Sequence, residues 1–207
     1  MVTEPGPFHG IVLAAGLSRR LGRSKQLLDV GGKSLVRHVV ERCLASRLDA
    51  VWVVVGHEAG AVRDALEGLE VSIVFNPAFE SGQASSLVAG LDAASGVADA
   101  IIVALGDQPF IEPAVIDGLI GARRWNQAPI AMASYGDERG HPVLFAHELF
   151  AELHDITGDQ GGREVIRRHR EHLVLVPSSA SSVPLDVDTE EAYALLLEQH
   201  ANGNRMR

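Results

Sequence analysis

Arg19, Arg20, Arg23 and Lys25 place four cations within seven residues, in a chain whose formal net charge is -9. Gly16, Ser18 and Gly22 are interleaved with them, directly after the apolar run Leu13-Ala14-Ala15. Small residues let a ligand approach the main chain, and the N–H groups of such a bend form an anion nest. Arginine and lysine add the charge that neutral amides lack. The combination suits a polyanion such as a triphosphate; the plainer alternative is a solvated basic loop. The spacing is neither the P-loop G-x-x-x-x-G-K-[ST] nor the dinucleotide fingerprint G-x-G-x-x-G.

Acidic side chains suited to the same chemistry lie further along. Asp107, in Leu105-Gly106-Asp107-Gln108-Pro109, ends an apolar run. There it is either a helix cap or a ligand for Mg2+, which takes one or two protein carboxylates and completes its shell with phosphate oxygens and water. Gly106 leaves room for a phosphate. Asp186 and Asp188 fall on one face if residues 185–187 form a strand, though Asp188 can instead cap the last helix. Gly82, Ser85 and Ser86 stand at a helix start, where hydroxyls and free N–H groups face outward. In the stretch from Gly158 to Arg163, a glycine-rich loop feeds a helix N-terminus, where Arg163 can meet an anion. The nine histidines are scattered without metal-ligand spacing, which disfavours a zinc site.

The elements that must position these residues alternate. Short β-branched runs at Ile11 to Ala15, Val51 to Val55, Val71 to Phe75 and Ile101 to Leu105 read as strands buried on both faces. Helical periodicity separates them at 34–45, 59–66, 84–94 and 113–124. This order predicts an α/β, Rossmann-like, mostly parallel sheet flanked by helices on both faces. Strands are further expected at 130–134, 142–145, 174–176 and 185–187, with helices at 148–153, 162–169 and 190–199. No linker divides the chain, so residues 9–199 are expected to form a single domain, with frayed ends at 1–8 and 200–207.

The 207 residues are 46% hydrophobic and 22% charged, which excludes wholesale disorder. The acidic balance argues against a nucleic-acid partner. No apolar run approaches the roughly 20 residues of a membrane span. Cys43 is the only cysteine, so no intrachain disulfide forms. With no secretory signal at the start, a cytoplasmic location is expected.

The pattern Leu13-Ala14-Ala15-Gly16-x-Ser18-x-Arg20-x-Gly22-x-x-Lys25 resembles the signature loop of nucleotidylyltransferases with a glycosyltransferase-A-like fold. Over about residues 10–198 the chain is most similar to their molybdenum cofactor cytidylyltransferase branch. Leu21, where that family often has Met, is a volume-conserving departure. The resemblance implies that the loop wraps the triphosphate of an NTP, with Arg20 and Lys25 as clamps and Leu13, Ala14, Ala15, Gly16, Ser18 and Gly22 along the nucleotide. It assigns Gly82, Ser85 and Ser86 to the nucleoside. It assigns Asp107 to Mg2+ (or Mn2+), with Asp186 or Asp188 in support. The Gly140-His141-Pro142 turn, Asp159 and Arg163 resemble the acceptor side, to which Asp188 can also contribute.

These likenesses imply transfer of a nucleotidyl group from CTP to the phosphate of a molybdopterin-type acceptor, giving a cytosine dinucleotide and pyrophosphate. Leu-Ala-Ala-Gly, rather than Leu-Ala-Gly-Gly, is the form associated with CTP. A molybdenum hydroxylase is the implied recipient of the product. Asp107→Asn and Lys25→Ala are each expected to abolish turnover and leave the fold intact. The alternatives are cytidylyl, uridylyl or guanylyl transfer to a sugar or polyol phosphate, and a non-catalytic chaperone that delivers the cofactor.

Overall fold

The computed structural model describes residues 6–18, 20–180 and 183–205. Strand β1 (Phe8–Ala14) is apolar on both faces and occupies the middle of the molecule. After it come a two-residue hairpin, β2 (Asp29–Val30) and β3 (Lys33–Ser34), helix α1 (Leu35–Leu44), β4 (Ala50–Val55), α2 (Ala59–Ala65) and β5 (Ser72–Phe75). Next are α3 (Gln83–Ala94), β6 (Ala100–Leu105), α4 (Pro113–Asn126), β7 (Ile130–Tyr135), β8 (Glu138–Ala146), α5 (Phe150–His154), α6 (Arg163–Arg168), β9 (Leu173–Pro177) and α7 (Glu190–Arg205).

The main sheet has seven strands in the order β5-β4-β1-β6-β8-β7-β9. β8 runs antiparallel to β6 and β7, and the other pairings are parallel. The α/β, mostly parallel expectation therefore holds. One face buries Val12, Val53 and Ile102 with residues of α1, α2 and α4. The other buries Ile11, Val54 and Val103 with residues of α3, α5 and α6. Gly90 brings α3 close to the sheet, since a Cβ there would lie 2.6 Å from Ile11 and 2.9 Å from Val54.

Four local expectations change. Phe8 belongs to β1 rather than to a frayed end; it is fully buried, and its N–H donates to Asp49 at 2.7 Å. Residues 1–5 lie outside the described residues. The structure adds the hairpin β2–β3, turned by Gly31 and Gly32 at φ +64 and +84, whose two-residue strands leave no periodic signal in the sequence. Residues 185–187 form no strand. The last helix continues to Arg205 instead of ending at 199, and His200 on it stacks against Phe110 with 6.1 Å between ring centroids. Residues 206 and 207, like Ser181 and Ser182 of the serine-rich loop, lie outside the described residues.

Candidate active site

The chain leaves β1 toward β4 on one side and later enters β6 on the other. The crevice between their carboxyl ends is where open α/β sheets bind ligands. A cleft of roughly 480 Å3 opens there. Gly106 donates its N–H to the Leu13 carbonyl at 2.9 Å, and a Cβ on it would meet that same oxygen at 3.0 Å. Glycine at 106 thus suits the close approach of the neighbouring strand.

The basic bend after β1 is held by its own polar residues. Ser18 adopts φ 50, in the left-handed region that side chains rarely occupy. Its carbonyl accepts from the N–H groups of Leu21 and Gly22, and its Oγ accepts from Lys25 N–H at 2.9 Å. Gln26, 3% exposed, donates from Nε2 to the Gly16 carbonyl, while its Oε1 accepts from Ser24 Oγ at 2.9 Å. These bonds fix where Lys25 leaves the loop. Arg19 lies outside the described residues.

Lys25 Nζ sits between two carboxylates, 2.5 Å from Asp107 Oδ2 and 2.7 Å from Asp188 Oδ1. Burial alone would lower the lysine pKa, but Asp107 and then Asp188 outweigh it and raise the value. Burial also pushes the Asp107 carboxyl up, with Lys25 opposing and the charge of Asp186 adding to the rise. Asp188 is held low, first by the Lys25 hydrogen bond. Arg20 Nη1 meets Asp188 Oδ2 at 3.3 Å, and Arg23 forms a two-point pair with Glu190. Asp188 does not cap the last helix. Thr189 does so, its Oγ1 accepting from Ala192 N–H at 3.2 Å, and this leaves the Asp188 carboxylate to the cleft.

Among the expected nucleotide contacts, Leu13, Ala15, Gly16, Ser18, Gly82 and Ser86 line the cleft, together with Lys25, Asp107, Asp159, Arg163, Asp186 and Asp188. Ala14 is fully buried and packs into the core beneath it. Gly22 shapes the turn at φ +65 without lining the cleft. Arg20 is an exposed side chain at the rim. Ser85 faces a different groove with Ala78 and Thr157, and its hydroxyl is hydrogen-bonded to the Ala78 and Gly82 carbonyls and to Asn76. At Gly82, φ is +114, and a Cβ would meet Gly158 backbone at 2.5 Å. The loop before α3 and the loop around Gly158 are therefore pressed together.

His141 lines an adjoining cavity of roughly 150 Å3 with Arg139, Met132, Val143 and Phe145. Leu13, Gln83 and Arg163 border both spaces. Burial, with a further push from Arg163, brings the His141 pKa down to about 4, so its ring is neutral at pH 7. The structure thus brings the expected acceptor-side residues His141, Asp159 and Arg163 next to the basic bend. Sequence reasoning missed Gln26, Phe79, Glu80 and Gln83. Gln26 adjoins Lys25 and Gln83 adjoins Gly82, but neither residue type carries a signal in isolation.

Among the described residues the cleft lining has five carboxylates, Glu80, Asp107, Asp159, Asp186 and Asp188, against two cations, Lys25 and Arg163. A bare triphosphate would meet net repulsion in that lining; a triphosphate carrying a divalent cation would not. Among the described residues no three His, Cys, Asp or Glu side chains form a metal cage. Asp107 with Asp186 nevertheless matches the oxygen donor set of a magnesium-like ion, which leaves most of its shell to phosphate and water.

A doubly wound sheet with a cation-bearing bend facing carboxylates across its switch point defines a nucleotidyltransferase. The chain belongs to the MobA-like NTP transferase domain family, whose model matches residues 10–173. It is similar to nicotine blue oxidoreductase of Paenarthrobacter nicotinovorans, at 35% identity over 90% of this chain and 95% of that protein. The purine catabolism protein PucB of Bacillus subtilis is 29% identical, over 90% of this chain and 94% of that protein. Among solved structures, Rv0371c from Mycobacterium tuberculosis H37Rv superposes with a TM-score of 0.86 at 32% identity, covering 95% of this chain and 100% of that one. A second structure of that protein, in complex with manganese, has a TM-score of 0.78 at 31% identity, covering 94% and 99%. No helix among the described residues is long and apolar enough to cross a membrane.

Proposed function

We propose that the protein transfers a cytidylyl group from CTP to the phosphate of a molybdopterin-type acceptor and releases pyrophosphate, with Mg2+ as its ion and Mn2+ able to substitute. The observation that supports this reading is Lys25 seated between Asp107 and Asp188 in the cleft, with Arg163 bordering both that cleft and the adjoining cavity that His141 lines. The product's recipient would be a molybdenum hydroxylase.

The acceptor phosphate is largely dianionic near neutral pH, its second pKa being about 6, so no general base is needed. The work left to the protein is positioning and charge neutralisation. Lys25 leaves Asp107 to neutralise charge at the α-phosphate, and Arg20 with the amides of the bend holds the departing pyrophosphate. Asp107 and Asp186 would hold the divalent ion, which would supply charge neutralisation and Lewis-acid polarisation at the transferring phosphate. Arg163 meets the acceptor phosphate, and the neutral His141 ring lines the side where the rest of the acceptor would lie.

Pyrophosphate release measured with each NTP, with and without molybdenum-loaded molybdopterin, tests the reading. Release only with CTP and the pterin is expected. Turnover with a sugar or polyol phosphate would reassign the acceptor, and tight pterin binding without turnover would make the protein a carrier. The oxidoreductase name of the relative at 35% identity favours one second reading, in which the bend grips the diphosphate of a redox dinucleotide. Oxidation of NADH or NADPH by a quinonoid dye, without pyrophosphate release, would favour it.

A further inference from the structure

Asp186 reaches the cleft from residues 183–188, which belong to no helix or strand. Asp107 lines the same cleft. Two carboxylates drawn together repel, so the irregular segment needs a tether to keep the second one in place. Gln108 supplies it, donating from Nε2 to Asp186 Oδ1 at 2.7 Å. Gln108 is fixed in turn: it is 3% exposed, lies between Asp107 and Pro109, and donates its backbone N–H to the Leu105 carbonyl at 3.2 Å.

A carboxylate only accepts hydrogen bonds, so Nε2 must be the amide atom that faces Asp186. The other amide atom, Oε1, is then left buried with no partner among the described residues. An unpaired buried acceptor is unfavourable, and leucine or methionine would fill the same volume without it. Packing therefore gives no reason for glutamine here, whereas the bond to Asp186 does.

We propose that Gln108 is a positioning residue that holds Asp186 beside Asp107, so that the two carboxylates form one seat for a divalent cation. Gln108 acts through Asp186 and touches neither nucleotide nor acceptor. The inference rests on the metal-dependent reading given above.

Mn2+ binding to the full-length protein with a non-hydrolysable α,β-methylene CTP, followed by electron paramagnetic resonance, reads the seat without turnover. Gln108→Leu is expected to weaken Mn2+ binding about tenfold, the usual order for losing a group that orients a metal ligand. Asp186→Ala should weaken it at least as much, and the double variant no further than Asp186→Ala alone. In pyrophosphate release, raised Mn2+ should restore Gln108→Leu to near wild-type kcat.

Wild-type Mn2+ affinity in Gln108→Leu overturns the proposal. So do losses that multiply in the double variant, or an Asp186→Ala protein that binds Mn2+ normally. Gln108→Met, checked by thermal melting, replaces the leucine variant should that one fail to fold. Wild-type pyrophosphate release, measured in parallel, reports on the transfer reading by itself: its absence sinks that reading, while the Mn2+ cycle still decides the role of Gln108.

Discussion

Lys25 has two carboxylate partners, whereas Asp107 pairs with a single cation among the described residues. Removing the two sides of this pair should therefore have unequal effects on stability, although the sequence alone leads to the expectation that Lys25→Ala and Asp107→Asn each leave the fold intact. In Lys25→Met the Asp107 side chain, 9% exposed, keeps its burial and loses its counter-charge. Stripping one partner from a buried pair costs about 3–5 kcal/mol; with the Lys25 side chain 19% exposed, the lower end, about 3 kcal/mol, is expected. Asp107→Asn leaves the ammonium on Asp188 at 2.7 Å and should cost about 1 kcal/mol. For a chain of this length those losses lower Tm by roughly 6–12 °C and 2–4 °C.

The pH dependence adds a second check. Asp107 already has a raised pKa because of burial, and losing Lys25 raises it further. Protonation removes the uncompensated charge, so the Lys25→Met penalty is full above that pKa and shrinks as pH falls through it. Urea unfolding at about pH 7 and about pH 5 measures both effects. Both variants should lose at least about 10³-fold in pyrophosphate release, since each removes charge stabilisation at the transferring group. Equal stability losses, or a Lys25→Met penalty that ignores pH, would refute the account of the ion pair.

Three further outcomes are expected. The His141 pKa of about 4 lies below the ordinary histidine value, so the stability linked to it is complete above about pH 6.5 and is lost as pH falls through about 4, by at most about 3 kcal/mol; His141→Gln should flatten that part of the profile in urea titrations. Gly82→Ala forces a Cβ onto Gly158 at positive φ and should cost about 2 kcal/mol or more while raising KM for the nucleotide, and a variant with wild-type Tm would contradict the tight approach of the two loops. Ser85→Ala should lose about 1 kcal/mol of stability from its bonds to Asn76 and two carbonyls yet keep the nucleotide KM, and a raised KM would return Ser85 to the binding site.

Of the four strands expected to be buried on both faces, β1, β4 and β6 were legible as such: Val12 and Val54, for example, point to opposite cores, so no polar alternation interrupts the runs. β5 departs from that expectation, since it lies at the edge of the sheet with Ser72 and Phe75 exposed. Lys25, Asp107 and Ser18 could be singled out because a cationic, glycine-bearing bend and a carboxylate at a strand end are both local patterns. Asp188 was ambiguous because an aspartate just before a helix can either cap it or reach a ligand; Thr189 takes the cap and Lys25 meets Asp188 in the cleft. Ser85 and Ser86 look alike in sequence, but adjacent residues on a helix point about 100° apart, which sends one toward the cleft and the other away from it. Gln26 and Gln108 left no trace because their role lies in the bonds of a single amide, to Gly16 and Ser24 in one case and to Asp186 in the other.

The charges of the free site are arranged for exchange. Lys25 lies on the carboxylate that the proposed reaction needs for its metal, and Arg20 lies on Asp188 at the rim. A triphosphate arriving without a cation would draw Lys25 away and leave Asp107 and Asp186 facing each other unneutralised. A cation arriving alone would displace Lys25 from Asp107 and leave it on Asp188 alone. Metal and triphosphate arriving together avoid both penalties, since each supplies the charge that the other's arrival leaves unmatched. An excess of acid in a nucleotide cleft is then no contradiction: it disfavours either charge alone and selects the neutralised complex of the two.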